Sequence, residues 1–162
     1  MGLHPAVERA LIELGVDFEV MDCDPALADT AEFCRAYGVD PADSANAILV
    51  SSRKPPGIRA MCMALATTRL DVNHAVRQRL GVRKLSFASA EETLRITGME
   101  IGGVTPFGLP PELGVLIDEA VMTRTRVVIG GGNRVSKVLL SPTQLLRIPG
   151  AEVGSFATPH PA

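Results

Sequence analysis

Residues 45–66 read "ANAILVSSRKPPGIRAMCMALA". Two apolar runs, 45–52 and 58–66, flank a Lys-Pro-Pro-Gly turn at 54–57. Proline removes an amide donor and glycine permits positive φ, so the chain reverses there. The first run reads as a strand. The second is nearly continuous in apolar residues, which predicts a central strand buried on both faces. Together they predict an antiparallel hairpin. Asn46 is the anomaly, because strand propensity disfavours asparagine among apolar neighbours. A buried amide must be hydrogen-bonded, so Asn46 either ties down a turn or points into a polar pocket, and composition alone favours the turn.

Outward from the hairpin, helices and strands interleave irregularly. "HPAVERALIELG" spaces Val7, Ala10, Leu11 and Leu14 as one face of a helix that stops at Gly15. "DFEVMD" reads as a strand, and Asp29 or Thr30 caps a helix that ends at Gly38. A helix is expected over 67–81, with Asp71 as cap and Gly81 as stop, followed by a short strand "VRKLSF". Ser89 with Glu92 three residues later forms a capping box. "GVLIDEAVM", "RVVIG", "RVSKVLL" and "AEVGSFA" read as strands, and Ser141-Pro142 opens a helix before the last of them. This order predicts an α+β fold with a mixed, largely antiparallel sheet and flanking helices. It occupies a single domain over 1–157, with a flexible tail at 158–162.

The chain has 162 residues, a length that buries about 70% of its unfolded surface as one domain. There is no apolar run of about 18 residues and no signal-peptide pattern at residues 1–15, so a cytoplasmic protein without membrane contact is expected. Cys23, Cys34 and Cys62 are odd in number and widely spaced, which argues against a disulfide framework or a zinc site. Cys34 and Cys62 read as core thiols. Charge is uneven along the chain. Residues 1–50 hold ten acids and two bases, whereas 51–84 hold eight bases and one acid. The basic stretch, which includes Arg53, Lys54 and Arg69, either presents a face to a polyanion or scatters over a solvated surface.

Residues 101–111, "IGGVTPFGLPP", concentrate three glycines and three prolines. They form either a tight connection or a rigid loop whose bare amides face a ligand. "GGGNRVSK" (130–137) lacks phosphate-loop spacing and runs into β-rich sequence, so it reads as a hairpin turn whose glycines border a pocket at most. His4, His74 and His160 have no partner at triad or ligand spacing and read as surface residues.

Taken in order, "SANAILV", "MALATTRLDVNHAVRQRLGVRKLSFASAEETLRITGMEIGGVTPFG" and "IGGGNRVSKVLLSPTQLLRI" resemble the YbaK/EbsC family. That family includes free-standing relatives of the editing domain inserted in bacterial prolyl-tRNA synthetases. The resemblance covers the chain from the first helix to about residue 150. It implies hydrolysis of the ester of a mischarged tRNA, without metal or cofactor, and an aminoacyl-tRNA synthetase as a further partner. It implies roles for Asn46 in orienting substrate, for Gly102 and Gly103 as an oxyanion site, and for Thr105 in holding water. Pro106 and Phe107 would stiffen the loop, Gly131 and Gly132 would close the pocket, and Arg53, Lys54 and Arg69 would meet tRNA phosphate. One departure stands out: well-known members carry lysine where this chain has Asn46. An amide brings no charge, so the alternative implied is a non-catalytic module that binds tRNA ends or a nucleotide.

Overall fold

The computed structural model describes residues 2–160. Helix α1 (Pro5–Glu13) starts behind His4, whose Nδ1 accepts from the Ala6 amide at 3.1 Å, and buries Val7 and Leu11. Strand β1 (Glu19–Asp22) follows, then α2 (Thr30–Tyr37), which ends at Gly38 with φ of 68°. Strands β2 (Ala45–Lys54) and β3 (Pro56–Leu65) form the hairpin, in register from Ala45 opposite Leu65 to Ser51 opposite Arg59. After β4 (Thr68–Leu70), a π-helical turn (Val72–Val76) leads into α3 (Arg77–Leu80). Strand β5 (Lys84–Phe87) and helix α4 (Ala90–Thr97) precede the glycine- and proline-rich loop. The chain then forms β6 (Gly114–Asp118), β7 (Val127–Gly130), β8 (Ser136–Leu140), β9 (Glu152–Gly154) and β10 (Ala157–Pro159).

Five strands make a mixed sheet in the order β5-β2-β3-β6-β9, and three make an antiparallel sheet in the order β1-β8-β7. The parallel ladders among the described residues are β3–β6 and β6–β9. Strand β3 is central, as its composition predicts, and its side chains alternate between two cores. Met61, Met63 and Leu65 join the main core, which also takes Val7 and Leu11 of α1 and Val138 and Leu140 of β8. Ala60, Cys62 and Ala64 face a second core with Val72, Val76 and Leu85. A third cluster packs Phe33 and Cys34 of α2 against Cys23, Val128 and Leu139. The two sheets meet where Ser44, just ahead of β2, bridges to Val128 of β7. That seam positions the site.

Several elements differ from the sequence expectation. Thr68–Leu70 pair with β10 instead of opening a helix, and helical turns begin after Asp71, whose Oδ1 accepts from the His74 amide at 3.2 Å. The segment after Pro142 is a 3₁₀ turn, and the Ser141 hydroxyl contacts the Thr143 hydroxyl rather than capping the backbone. "GVLIDEAVM" leaves strand geometry at Asp118 because that carboxylate turns back onto the amides of Ala120, Phe156 and Ala157. The same bonds split "AEVGSFA" into β9 and β10. Thr158 and Pro159, expected in a flexible tail, pair with Arg69 and Thr68. The end of that tail, residues 161 and 162, lies outside the described residues.

Candidate active site

A cavity of about 330 Å³ opens at the seam between the sheets. Its walls come from the start of β2, from Val128, Ile129 and Gly130 of β7, from the first turn of α2, and from Ile101, Gly102 and Val104 of the loop. Asn46 lines it. Its Oδ1 accepts the Thr30 hydroxyl at 2.6 Å, which leaves the amide nitrogen as a donor. Thr30 and Asn46 also border a neighbouring cavity of about 490 Å³ beside Cys34 and Pro41, so this pair stands between the two spaces.

Lys137 is the charged side chain of the inner wall. It lies on β8 between Ser136 and Val138, both of which are fully buried, and is itself 7% exposed. Its alternation in the strand turns it to the α2 side of the sheet, with Leu139. Lys137 Nζ donates to Ala28 O at 2.7 Å and to Gly102 O at 2.6 Å, and sits 5.2 Å from the centre of the Phe33 ring. No carboxylate pairs with it among the described residues. Burial lowers its pKa from the ordinary lysine value, because desolvation penalises the ammonium. At the cavity mouth, Asp29 Oδ1 pairs with Arg134 Nη1 at 3.0 Å, and Arg134 also donates to Pro25 O and Ile101 O.

The loop is held by its carbonyls. Ile101 O accepts from Arg134 at 2.6 Å, Gly102 O from Lys137, and Gly103 O from the Gly132 amide at 2.6 Å. Glycine is required on both sides of this docking. A Cβ at Gly103 would lie 2.5 Å from Asn133 C and 2.7 Å from its nitrogen, and one at Gly130 would run into Gly103 and Val104. The Gly103 amide closes a turn on Glu100 O at 2.9 Å. The amides of Gly102 and Val104 have no acceptor among the described residues. The two free donors therefore belong to alternate residues, with the Gly103 amide between them turned to Glu100 O.

Residues 24–148 match the family of aminoacyl-tRNA editing domains. This chain belongs to that family. A proline–tRNA ligase of Trichlorobacter lovleyi is 33% identical over 105 residues, which are 64% of this chain and 17% of the ligase. The uncharacterized protein YwhH of Bacillus subtilis is 35% identical over 85 residues, 52% of this chain and 53% of that protein. The alignments thus span about half of one relative and a small part of the other. Among solved structures, hypothetical protein APE2540 superposes with a TM-score of 0.84 at 24% identity, covering 94% of this chain and 99% of its own. A proposed trans-editing enzyme for prolyl tRNA synthetase superposes with a TM-score of 0.80 at 24% identity, covering 96% and 98%. These likenesses establish the α+β editing-domain fold.

Of the residues singled out from the sequence, this editing domain brings Asn46 and Gly102 to the cavity wall. Gly103 lies behind it as a docking residue. Thr105 is fully buried, away from the lining, with its hydroxyl unpaired. Pro106 and Phe107 are buried too, Phe107 within the main core. A Cβ at Gly131 would meet Ser136, and one at Gly132 would meet His4 and Val7, so both glycines serve packing near α1. Arg53 and Lys54 stand at the far end of β2, roughly 23 and 26 Å along the strand from Asn46 at ~3.3 Å per residue. Arg69 is exposed on β4. His74 and His160 are exposed, whereas His4 caps α1 rather than standing free on the surface. Arg134 and Lys137 carry no local mark of a site, because their stretch reads as a turn and a strand. The available signal was a lysine inside "SKVLL", a polar exception of the same kind as Asn46.

Proposed function

We propose that this editing domain hydrolyses the ester between a wrongly attached amino acid and the terminal ribose of tRNA, acting in trans. The observation that carries the reading is the meeting, in one cavity, of two acceptor-free amides (Gly102 and Val104), the Asn46 amide and an ammonium. Water adds to the ester carbonyl, the resulting oxyanion takes hydrogen bonds from the loop amides, and collapse releases the amino acid and the ribose hydroxyl. No histidine lines the cavity among the described residues, so the reading assigns activation of the water to the neighbouring ribose hydroxyl of the substrate. Asn46 orients the substrate, and Arg53, Lys54 and Arg69 meet phosphates of the tRNA body. Buried Lys137 supplies positive charge that an asparagine in place of the family lysine does not.

The test is release of amino acid from a panel of mischarged tRNAs in the presence of chelator. The panel includes proline tRNA carrying other amino acids, which the names of the ligase and the trans-editing neighbour suggest. Release faster than in buffer supports the reading. Binding of tRNA without release from any member would favour a non-catalytic module. Neutralising Arg53, Lys54 and Arg69 together should flatten the salt dependence of tRNA binding, and an unchanged slope would place the contact elsewhere.

A further inference from the structure

The cations that hold the loop point to a role beyond packing. The peptide bond between Ile101 and Gly102 is trans, as is the next one, so each carbonyl and the following N–H point in opposite directions. Arg134 fixes the Ile101 carbonyl and therefore the direction of the Gly102 N–H. Lys137 fixes the Gly102 carbonyl and sends the Gly103 N–H to Glu100 O. The Gly132 amide fixes the Gly103 carbonyl and with it the direction of the Val104 N–H. Three donors from one short segment (132–137) thereby set three consecutive peptide planes, and the two amides left without acceptors belong to residues that line the cavity.

The same cations reach the opposite lip. Arg134 holds Pro25 O and the Asp29 carboxylate, and Lys137 holds Ala28 O. The segment before α2 and the glycine loop are thus tied to one another through two side chains of the β8 entry. Gly102 sits directly beneath the ion pair, since a Cβ there would lie 2.9 Å from Asp29 Oδ1 and would strike Arg134. A packing role alone would not need both cations to bind the peptide group that carries the acceptor-free Gly102 amide and the one that follows it.

We propose that Arg134 and Lys137 are positioning residues for the ester hydrolysis described above: by holding the Ile101 and Gly102 carbonyls, they fix the peptide planes on both sides of Gly102 and present its N–H to the oxyanion, beside the Val104 N–H that the Gly132 amide directs. This rests on the deacylase reading. The reaction is unchanged in its balance: the ester C–O bond breaks, a C–O bond to water forms, and the proton of water passes to the ribose oxygen.

The experiment combines kinetics of Arg134→Met and Lys137→Met with amide spectra of the parent chain. Both substitutions keep the aliphatic stem and remove the donors. Each should lower kcat by about 100-fold, the scale of losing one oxyanion donor, with KM changed less than about threefold. A folded variant with parental kcat, or one in which only KM rises, overturns the proposal. Because either variant could fail to fold, the parent is also titrated with two adenosine probes. One carries the amino acid through an amide, and the other carries a tetrahedral phosphonate in place of the ester carbonyl. The phosphonate should move the Gly102 and Val104 amide protons downfield, and the amide probe should not. Absence of that shift in a parent that binds the phosphonate overturns the proposal as well. A parent without turnover on any tRNA sinks the deacylase reading instead, and is told apart by the parental rate alone.

Discussion

Gly103→Ala is the substitution whose outcome the loop docking fixes most firmly. The glycine does not use a left-handed φ, so an alanine there brings no intrinsic backbone strain. The conflict is steric. Its Cβ would stand 2.5 Å from Asn133 C and 2.7 Å from Asn133 N, where real contacts begin near 3.4 Å. Backbone atoms, unlike a side-chain tip, cannot swing aside, so the 103 and 133 strands of chain must separate. Overpacking costs about 1–3 kcal/mol. Losing the bond from the Gly132 amide to Gly103 O leaves buried groups unpaired, at about 1–3 kcal/mol more. The midpoint of the total, about 4 kcal/mol, corresponds to a fall in Tm of roughly 8–16 °C for a chain of this size. Thermal melts followed by circular dichroism read this directly, with deacylation measured at a temperature where the variant is still folded. A variant melting within about 3 °C of the parent, worth under 2 kcal/mol on the same scale, would refute the docking argument.

Asn46→Ala should do the reverse: it removes one hydrogen bond at a half-buried site, costing about 1 kcal/mol, yet should lower deacylation or ligand affinity roughly 10–100-fold. Full activity in the folded variant would remove Asn46 from the site. The three buried cysteines predict alkaline sensitivity. Burial holds the Cys62 thiol at a pKa of about 12 against 9.0 when free, so the folded chain keeps a proton that the unfolded chain loses. That stabilisation is complete below pH 9.0 and declines towards pH 12, with a slope of about 1.4 kcal/mol per pH unit. Cys23 and Cys34, also raised by burial, act in the same direction. Urea midpoints at pH 8 and pH 10 check this, and an unchanged midpoint would contradict it.

The hairpin, the central place of β3 and the mixed sheet were legible because apolar runs and a Pro-Gly turn are local signals. So were the caps at Asp71 and Ser89, since each bonds an amide three residues on. The breaks at Asp118 and around β10 were not legible. They depend on a carboxylate meeting amides 38 and 39 residues away, which no local window contains. The site divides along the same line. Asn46 and Gly102 stood out as exceptions to strand and loop chemistry, and both reach the cavity. Thr105, Pro106 and Phe107 adjoin Gly102 and Gly103 in sequence but turn into the interior, because a loop hung by its carbonyls sends the next residues towards the core. Lys137 and Arg134 matter through bonds to residues 33 to 109 positions earlier, a relation that spacing does not reveal.

The way the loop is suspended also bears on the order in which the molecule is made. Residues 101–103 are synthesised roughly 30 positions before the donors at 132–137 that hold them. At about 5–20 residues per second, the glycine segment waits some seconds before those donors are made. A nascent chain stopped before residue 132 would contain Asn46, Gly102 and Val104, yet would lack all three donors that hold the loop carbonyls. The loop carbonyls therefore gain their partners late, when the β7–β8 turn closes over a segment that emerged before it.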